Sequence, residues 1–241
     1  MKIKILTLFP SMIESFKEES IIKRAIQKGV CTVEAIDIRN YSNSKHRHVD
    51  DTPCGGGQGM VLAVDVVHRC ILDNTDENSH IVMMTPQGRK YNQSVAMELK
   101  EYDELVILCG HYEGFDERIR SYVDEEISIG DFVLTGGEIP AMAVSDSVIR
   151  LLEDAIKEES HEDDSFSTGL LEYPQYTRPI EYDGKSVPEV LLSGNHKLIN
   201  EYRKKESLRR TYLRRPDLLD NYNFSFEELK MLEEIKKEEV K

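Results

Sequence analysis

Hydrophobic positions along the chain keep two rhythms. Residues 2–8 alternate and then run apolar, and residues 32–38 alternate again, the period-two pattern of strands with one inward face. Residues 80–84 form a short apolar run. Leu105-Val106-Ile107-Leu108-Cys109 forms another and stops at Gly110, and the run 127–134 stops at Gly136-Gly137. Short runs that end in glycine read as buried strands. Between them the spacing turns helical. Pro10 opens a helix at its first position. Ser20 caps residues 21–28, and Gly29 ends them. Residues 61–72 have helical spacing, and Asn92 or Ser94 caps a helix reaching Lys100. Residues 139–156 read as one long helix with apolar positions from Ile139 to Ile156.

Strand and helix alternate over residues 1–156, which predicts an α/β layer structure with a mostly parallel sheet. Three strands end in glycine or proline loops, at 85–88, 110–114 and 129–140. Open α/β sheets take their ligands at such strand ends, so residues 105–140 read as the floor of a small-molecule pocket. Residues 153–164 then change character, with seven acidic side chains and one lysine, as a linker would. Residues 173–179 are extended, and 195–205, 207–214 and 226–238 read as helices. The expected organisation is an α/β domain over 1–156, a flexible linker over 157–172 and a helical domain over 173–241.

Composition narrows the class. The 241 residues are 39% hydrophobic and 32% charged, ordinary for a globular protein. No apolar run approaches the roughly 18 residues of a membrane span, so no membrane partner is expected. The amino terminus reads as a first strand rather than an export signal, and Cys31, Cys54, Cys70 and Cys109 form no Cys-x-x-Cys pair. Reduced, mostly buried thiols and a cytoplasmic location follow. The net charge of −14 argues against a nucleic-acid partner only on average, because 14 basic and 14 acidic side chains balance from Phe166 onward. Residues 197–215 carry eight basic side chains against Glu201 and Glu206. Lys205/Arg209 and Arg210/Arg214 are each one helical turn apart, with Leu198, Tyr202, Leu208 and Tyr212 able to pack underneath. Such a face suits RNA phosphates and bases, or is an ordinary charged surface.

Other motifs leave alternatives open. Gly55-Gly56-Gly57-Gln58-Gly59 lacks the Lys-Ser or Lys-Thr of a phosphate loop and does not fit Gly-x-Gly-x-x-Gly, which disfavours a nucleotide kinase or a Rossmann oxidoreductase. It is a flexible turn or a mobile cover over a ligand. His46, His48, Asp50 and Asp51 have no second cluster at zinc-ligand spacing, which leaves a solvated loop or RNA-backbone contacts. His111 and Glu113 sit on an exposed turn or serve the pocket. Arg150 is a structural partner for a carboxylate or an anion stabiliser. Asp163 and Asp164 lie in an acidic run that is either merely solvated or catalytic.

Several longer segments occur together and in order: LTLFP (6–10), VDDTPCGGGQGM (49–60), TPQGR (85–89), CGHYEGFDERI (109–119), EISIGDFVLTGGEIPAM (126–142), DDSF (163–166), YPQYTRP (173–179), VPEVLLSGNH (187–196) and LRRPDLL (213–219). On these the chain resembles the bacterial tRNA (guanine-N1-)-methyltransferases, SPOUT-class enzymes that modify guanine 37, the base 3′ to the anticodon. The resemblance implies a deep trefoil knot holding S-adenosylmethionine, although chain threading is rare. Met84, Thr85, Pro86, Gly110, Ile129, Gly130, Asp131, Phe132, Val133, Leu134, Gly136, Gly137 and Pro140 would cradle the donor.

It implies further a homodimer with each active site shared between subunits, the donor in one subunit's knot and the catalytic Asp164 from the other subunit's linker, with Arg150 on the helix after the knot as the second catalytic residue and tRNA with guanine 37 as partner. In that chemistry a carboxylate removes the N1 proton and the arginine stabilises charge on O6. Magnesium dependence comes with the family, with Glu113 and Asp164 as candidate neighbours of the ion. Two positions depart from the pattern. A Pro-Gly pair is missing after Arg150-Leu151, which predicts a helix running further toward the linker and makes Asp163 the alternative to Asp164. Cys54 stands where a tyrosine is expected. The alternative functions are a SPOUT enzyme acting on another RNA position and a non-enzymatic RNA-binding adaptor.

Overall fold

The computed structural model describes residues 1–156 and 164–239. The chain divides into two compact units, Met1–Glu158 and Glu159–Lys241. The first begins with β1 (Lys2–Thr7), α1 (Pro10–Lys17), α2 (Ser20–Gln27) and β2 (Thr32–Asp37). Two short strands, β3 (Asp50–Asp51) and β4 (Val61–Leu62), precede α3 (Val64–Asn74). Then come β5 (Ser79–Lys90), α4 (Gln93–Leu99), β6 (Glu104–Cys109), β7 (Glu125–Ser128) and α5 (Glu138–Ile149). The main sheet has the order β2-β1-β6-β5-β7, with every pairing parallel.

Alternation along the strands sends side chains to two cores. Leu105, Ile107 and Cys109 join Ile3, Ile5 and Val82 under α1, α2, α4 and α5. Val106 and Leu108 join Leu6 and Met83 under α3. With both faces covered, all six residues of β6 are buried, as its unbroken apolar run predicts. The α/β expectation with a mostly parallel sheet is met.

Several boundaries differ from expectation, each for a local reason. Ser20 is not a cap: the N-cap is Glu19, and Ser20 has φ 49°. Val61 and Leu62 are strand, because they pair with Asp51 and Asp50 far back in the chain, and the helix starts only at Val64. β5 runs on to Lys90, yet Met84 and Arg89 both register with Ile127, so residues 85–88 loop out of the ladder. Gly88 permits this, since a Cβ there would lie 2.4 Å from the Glu126 carbonyl carbon. The run 127–134 is strand only to Ser128. β7 is an edge strand whose partner ends at Lys90, so the chain beyond has no ladder to join.

The long helix also stops early, at Ile149, with Arg150 as its C-cap. Leu151 and Leu152 close tight turns onto the Val148 and Ile149 carbonyls, and Asp154 takes φ 66°. The apolar spacing persists because these turns still feed the core: Ala155 is buried there, with Leu151 and Leu152 against it. The expected extension of this helix toward the linker is therefore corrected.

The second unit contains β8 (Glu181–Tyr182), β9 (Lys185–Ser186), α6 (Glu189–Leu192), α7 (His196–Arg214) and α8 (Phe226–Glu239). The Asn195 side chain accepts from the Leu198 N–H and starts α7. α7 is one helix where two were expected. Ser207, the break in the sequence pattern, is buried and donates its hydroxyl to the Leu171 carbonyl at 2.5 Å. Leu170, Leu208 and Ile235 form the core of the unit, flanked by Tyr212 and Tyr222. Leu198, expected underneath α7, is instead exposed.

Candidate active site

β5, β6 and β7 end side by side, and the chain that leaves each of them borders one cavity of about 470 Å³. Met84 comes from the paired part of β5, Thr85 and Pro86 from its looped-out part, and Gly110 is the residue after β6. Ile129, Gly130, Phe132, Val133 and Leu134 come from the segment after β7, and Gly136, Gly137 and Pro140 from the entry to α5. Of the expected donor-cradle residues, only Asp131 is absent from the lining; it is exposed. His111 and Glu113 also border the cavity.

The two glycine loops are tied to one another. The Gly137 N–H donates to the Gly110 carbonyl at 2.8 Å, and His111 bridges to Gly136. Gly137 must be glycine, because a Cβ would sit 2.7 Å from the Cys109 Cα. Beside them is a buried acid that the sequence did not single out. Glu138 opens α5 with 3% of its surface exposed, and the Thr7 hydroxyl donates to its Oε1 at 2.7 Å. Thr7 in turn accepts from the Phe9 N–H at 2.8 Å. The one available signal was a polar residue inside the run Ile5-Leu6-Thr7-Leu8. Burial, followed by the Glu138 charge, pushes the Cys109 thiol well above its ordinary range, so that sulfur is inert.

A second group at the rim also escaped sequence reading. Arg120 donates from Nε to Glu117 at 2.8 Å, from Nη2 to Gln87 at 3.2 Å, and from Nη1 to Glu126. Gln87, Glu117 and Arg120 all border the cavity. A 3₁₀ turn over Glu117–Tyr122 brings Glu117 and Arg120 there, and such turns leave no periodic trace. The glycine-rich loop lies close by, since the Glu113 N–H donates to the Met60 carbonyl at 2.9 Å.

The cavity is of the size that holds a small molecule. His111 Nδ1 is buried without a hydrogen-bond partner among the described residues, a polar atom left for a ligand or a water. Residues of three glycine- or proline-bearing loops line it together with apolar Met84, Ile127 and Leu134, a mixture that suits a nucleoside-like ligand.

Arg150, one of the expected catalytic pair, is not among the residues that line this cavity. Arg150 caps the far end of α5, and twelve helical residues span roughly 18 Å. Asp164 belongs to the second unit and is half-buried. Asp163 lies outside the described residues. Among the described residues, no three His, Cys, Asp or Glu side chains gather closely enough to hold a metal ion, at His46 and His48 or anywhere else.

The basic face of α7 is divided. Lys205 Nζ lies 3.1 Å from Glu234 and 3.0 Å from Glu238 of α8. Arg209 meets Glu206 at 3.0 Å, Glu238 at 2.5 Å and Glu239 at 2.8 Å. These hydrogen bonds, that to Glu238 first, raise the pKa of both cations. Lys205 and Arg209 are thus internal partners, whereas the sequence offered them as RNA contacts.

A parallel sheet covered on both faces, with a glycine-walled cavity at its strand ends, defines an α/β protein that binds a small molecule at that edge. Comparison with known proteins narrows this. The family described as tRNA (Guanine-1)-methyltransferase TrmD matches residues 1–221, and the chain belongs to that family. A Fusobacterium nucleatum protein named tRNA (guanine-N(1)-)-methyltransferase is 57% identical over 241 residues, the whole of both chains. Proteins of the same name from Bacillus licheniformis and Staphylococcus epidermidis are 54% and 52% identical over at least 98% of each chain.

Proposed function

We propose that the protein methylates N1 of guanine 37 in tRNA, with S-adenosylmethionine as methyl donor. The observation that carries this reading is the convergence of all but one expected cradle residue on a single cavity, in a chain similar over its full length to enzymes of that name. Bound there, the donor supplies an electrophilic methyl group. The looped-out residues after Met84 and the segment 129–134 would hold the adenosine, reading its edge through backbone amides and carbonyls. The Gly110–Gly137 contact keeps the floor narrow enough for backbone to touch the ligand.

Asp164 acts as the base that takes the proton from guanine N1, and Arg150 stabilises the negative charge that develops on O6. General-base help of this kind accelerates transfer about 10²- to 10⁴-fold. In the homodimer of this reading the donor lies in one subunit's cavity and the base, Asp164, comes from the linker of the partner subunit. The donor loops belong to a trefoil knot in this reading. Magnesium, expected from the same resemblance, has Glu113 as its candidate neighbour at the cavity.

The test uses labelled S-adenosylmethionine and two tRNA transcripts, one with guanine at position 37 and one without. Label enters only the first, and Asp164→Ala or Arg150→Ala abolishes transfer while donor binding persists. Guanine-independent labelling would mark an RNA methyltransferase of another site, and tRNA binding with no donor affinity would mark a non-enzymatic adaptor. Either overturns the proposal.

A further inference from the structure

The loop that interrupts β5 is held firmly at its ends and at one point between them. Residues 85–88 leave the ladder after Met84 and rejoin it at Arg89. At the entry Met84 registers with Ile127, and at the exit Arg89 donates to both Glu98 oxygens at 2.7 and 2.8 Å. Pro86 and Gln87, at the tip, are exposed. Inside the loop the Gln87 N–H donates to the Thr85 hydroxyl at 3.3 Å, which is long for such a bond. Among the described residues, Arg120 is the one side chain from outside the loop that bonds its tip, through the Gln87 carbonyl oxygen at 3.2 Å.

The other N–H groups of Arg120 explain why it can hold that position. Nε bonds Glu117 on its own 3₁₀ turn, and Nη1 bonds Glu126 in β7. A planar guanidinium gripped on two sides cannot turn, so the third group meets Gln87 at a fixed place. The side chain is only 25% exposed, which shelters these bonds from water. Gly88 packs directly on the Glu126 backbone, so Arg120 ties the tip of the loop to the strand that supports its base. Thr85, Pro86, Gln87, Glu117 and Arg120 all line the cavity. A loop that is ordered before its ligand arrives loses less conformational freedom on binding, and affinity rises with no new contact to the ligand.

We propose that Arg120 is a positioning residue of the donor site, which clamps Gln87 against β7 and so holds residues 85–88 in the shape that receives the adenosyl end of the donor. This inference rests on the reading that the cavity takes S-adenosylmethionine. It concerns binding and not the transfer step, since neither Asp164 nor Arg150 lines the cavity.

The test is a double-mutant cycle on Arg120 and Gln87, read by calorimetry of S-adenosylmethionine binding and by methyl transfer to a tRNA transcript. Arg120→Ala weakens donor binding and raises its KM about five- to tenfold, with kcat at saturating donor unchanged. Gln87→Ala leaves both ion pairs of Arg120 in place, so it keeps the fold, and it gives a shift of similar size. The double variant is no worse than the larger single one, because the two side chains act as one unit. Arg120→Lys keeps the charge without the fork and recovers part of the affinity. Amide exchange over residues 85–90, followed by mass spectrometry, quickens in Arg120→Ala and slows again with donor bound. Unchanged donor affinity in folded Arg120→Ala, with only its melting temperature lowered, marks a merely structural ion pair and overturns the inference alone. Losses that add in the double variant, or a fall in kcat with affinity intact, also overturn it. Failure of the wild-type chain to bind S-adenosylmethionine overturns the functional reading with it.

Discussion

Thr7 and Glu138 stand 131 residues apart in the chain and meet through a 2.7 Å hydrogen bond beside the glycine floor of the cavity. The bond joins the end of β1 to the first residue of α5, and both side chains are almost wholly buried. Thr7→Val removes the donor to Glu138 and the acceptor of the Phe9 N–H while keeping the shape. A buried polar group deprived of its partner costs about 1–3 kcal/mol. Urea unfolding should show that loss, accompanied by a raised KM for the methyl donor, and Thr7→Ser should restore both.

Gly137→Ala should act on donor binding more directly. The added methyl meets the Cys109 Cα and the Gly110 nitrogen, backbone atoms that cannot rotate away. Overpacking of this kind costs about 1–3 kcal/mol. Donor affinity by calorimetry should fall about tenfold or more, equivalent to at least about 1.4 kcal/mol. Unchanged affinity would mean that the donor lies elsewhere.

Mixing two inactive variants tests the shared site. Gly137→Ala disables the cavity, and Asp164→Ala removes the proposed base. If the partner subunit supplies the base, co-refolded variants regain part of the methyl transfer that neither has alone. A mixture that stays inactive would place both functions within one chain.

Part of this was legible in the sequence. β6 announced itself by an unbroken apolar run, since a strand buried on both faces needs one. The loops at Pro86, Gly110 and Gly137 were marked by residue types that only turns and close approaches require. What stayed hidden depends on distant partners. Val61 and Leu62 are strand because of Asp50 and Asp51, and β7 stops at Ser128 because β5 ends beside it. Apolar Phe132, Val133 and Leu134 looked like strand, but they are at least 38% exposed and border the cavity. Likewise, the charge pattern of α7 could not reveal that α8 lies against Lys205 and Arg209.

Acid should loosen the second unit through Glu228. Burial alone would raise its carboxyl, but Lys204, the Ser225 N–H and the Tyr222 hydroxyl outweigh it and hold the pKa at about 2, against an ordinary 4.5. A depressed folded-state pKa contributes stability in full above about pH 4.5, and that contribution is lost as pH falls toward 2. Thermal unfolding across this window should show the decline, and Glu228→Gln should flatten it while lowering stability at neutral pH.

Thiol chemistry should single out Cys54. It is exposed, whereas Cys31, Cys70 and Cys109 are buried. Burial raises Cys31, and burial with the charges of Asp73 and Asp37 pushes Cys70 up to about 12. Iodoacetamide should modify one thiol in the native protein and all four after denaturation, as read by mass spectrometry.

The strand order sets a timetable for the growing chain. β1 can pair with β2 as soon as both leave the ribosome, because they are consecutive strands of the sheet. β6, the other neighbour of β1, arrives only after α3, β5 and α4, and the cavity still lacks β7 and the entry to α5. The cavity is therefore among the last features that the first unit completes during synthesis. Because a ligand stabilises only the state that binds it, a ligand of that cavity should protect finished copies against proteolysis and give nothing to chains truncated before α5.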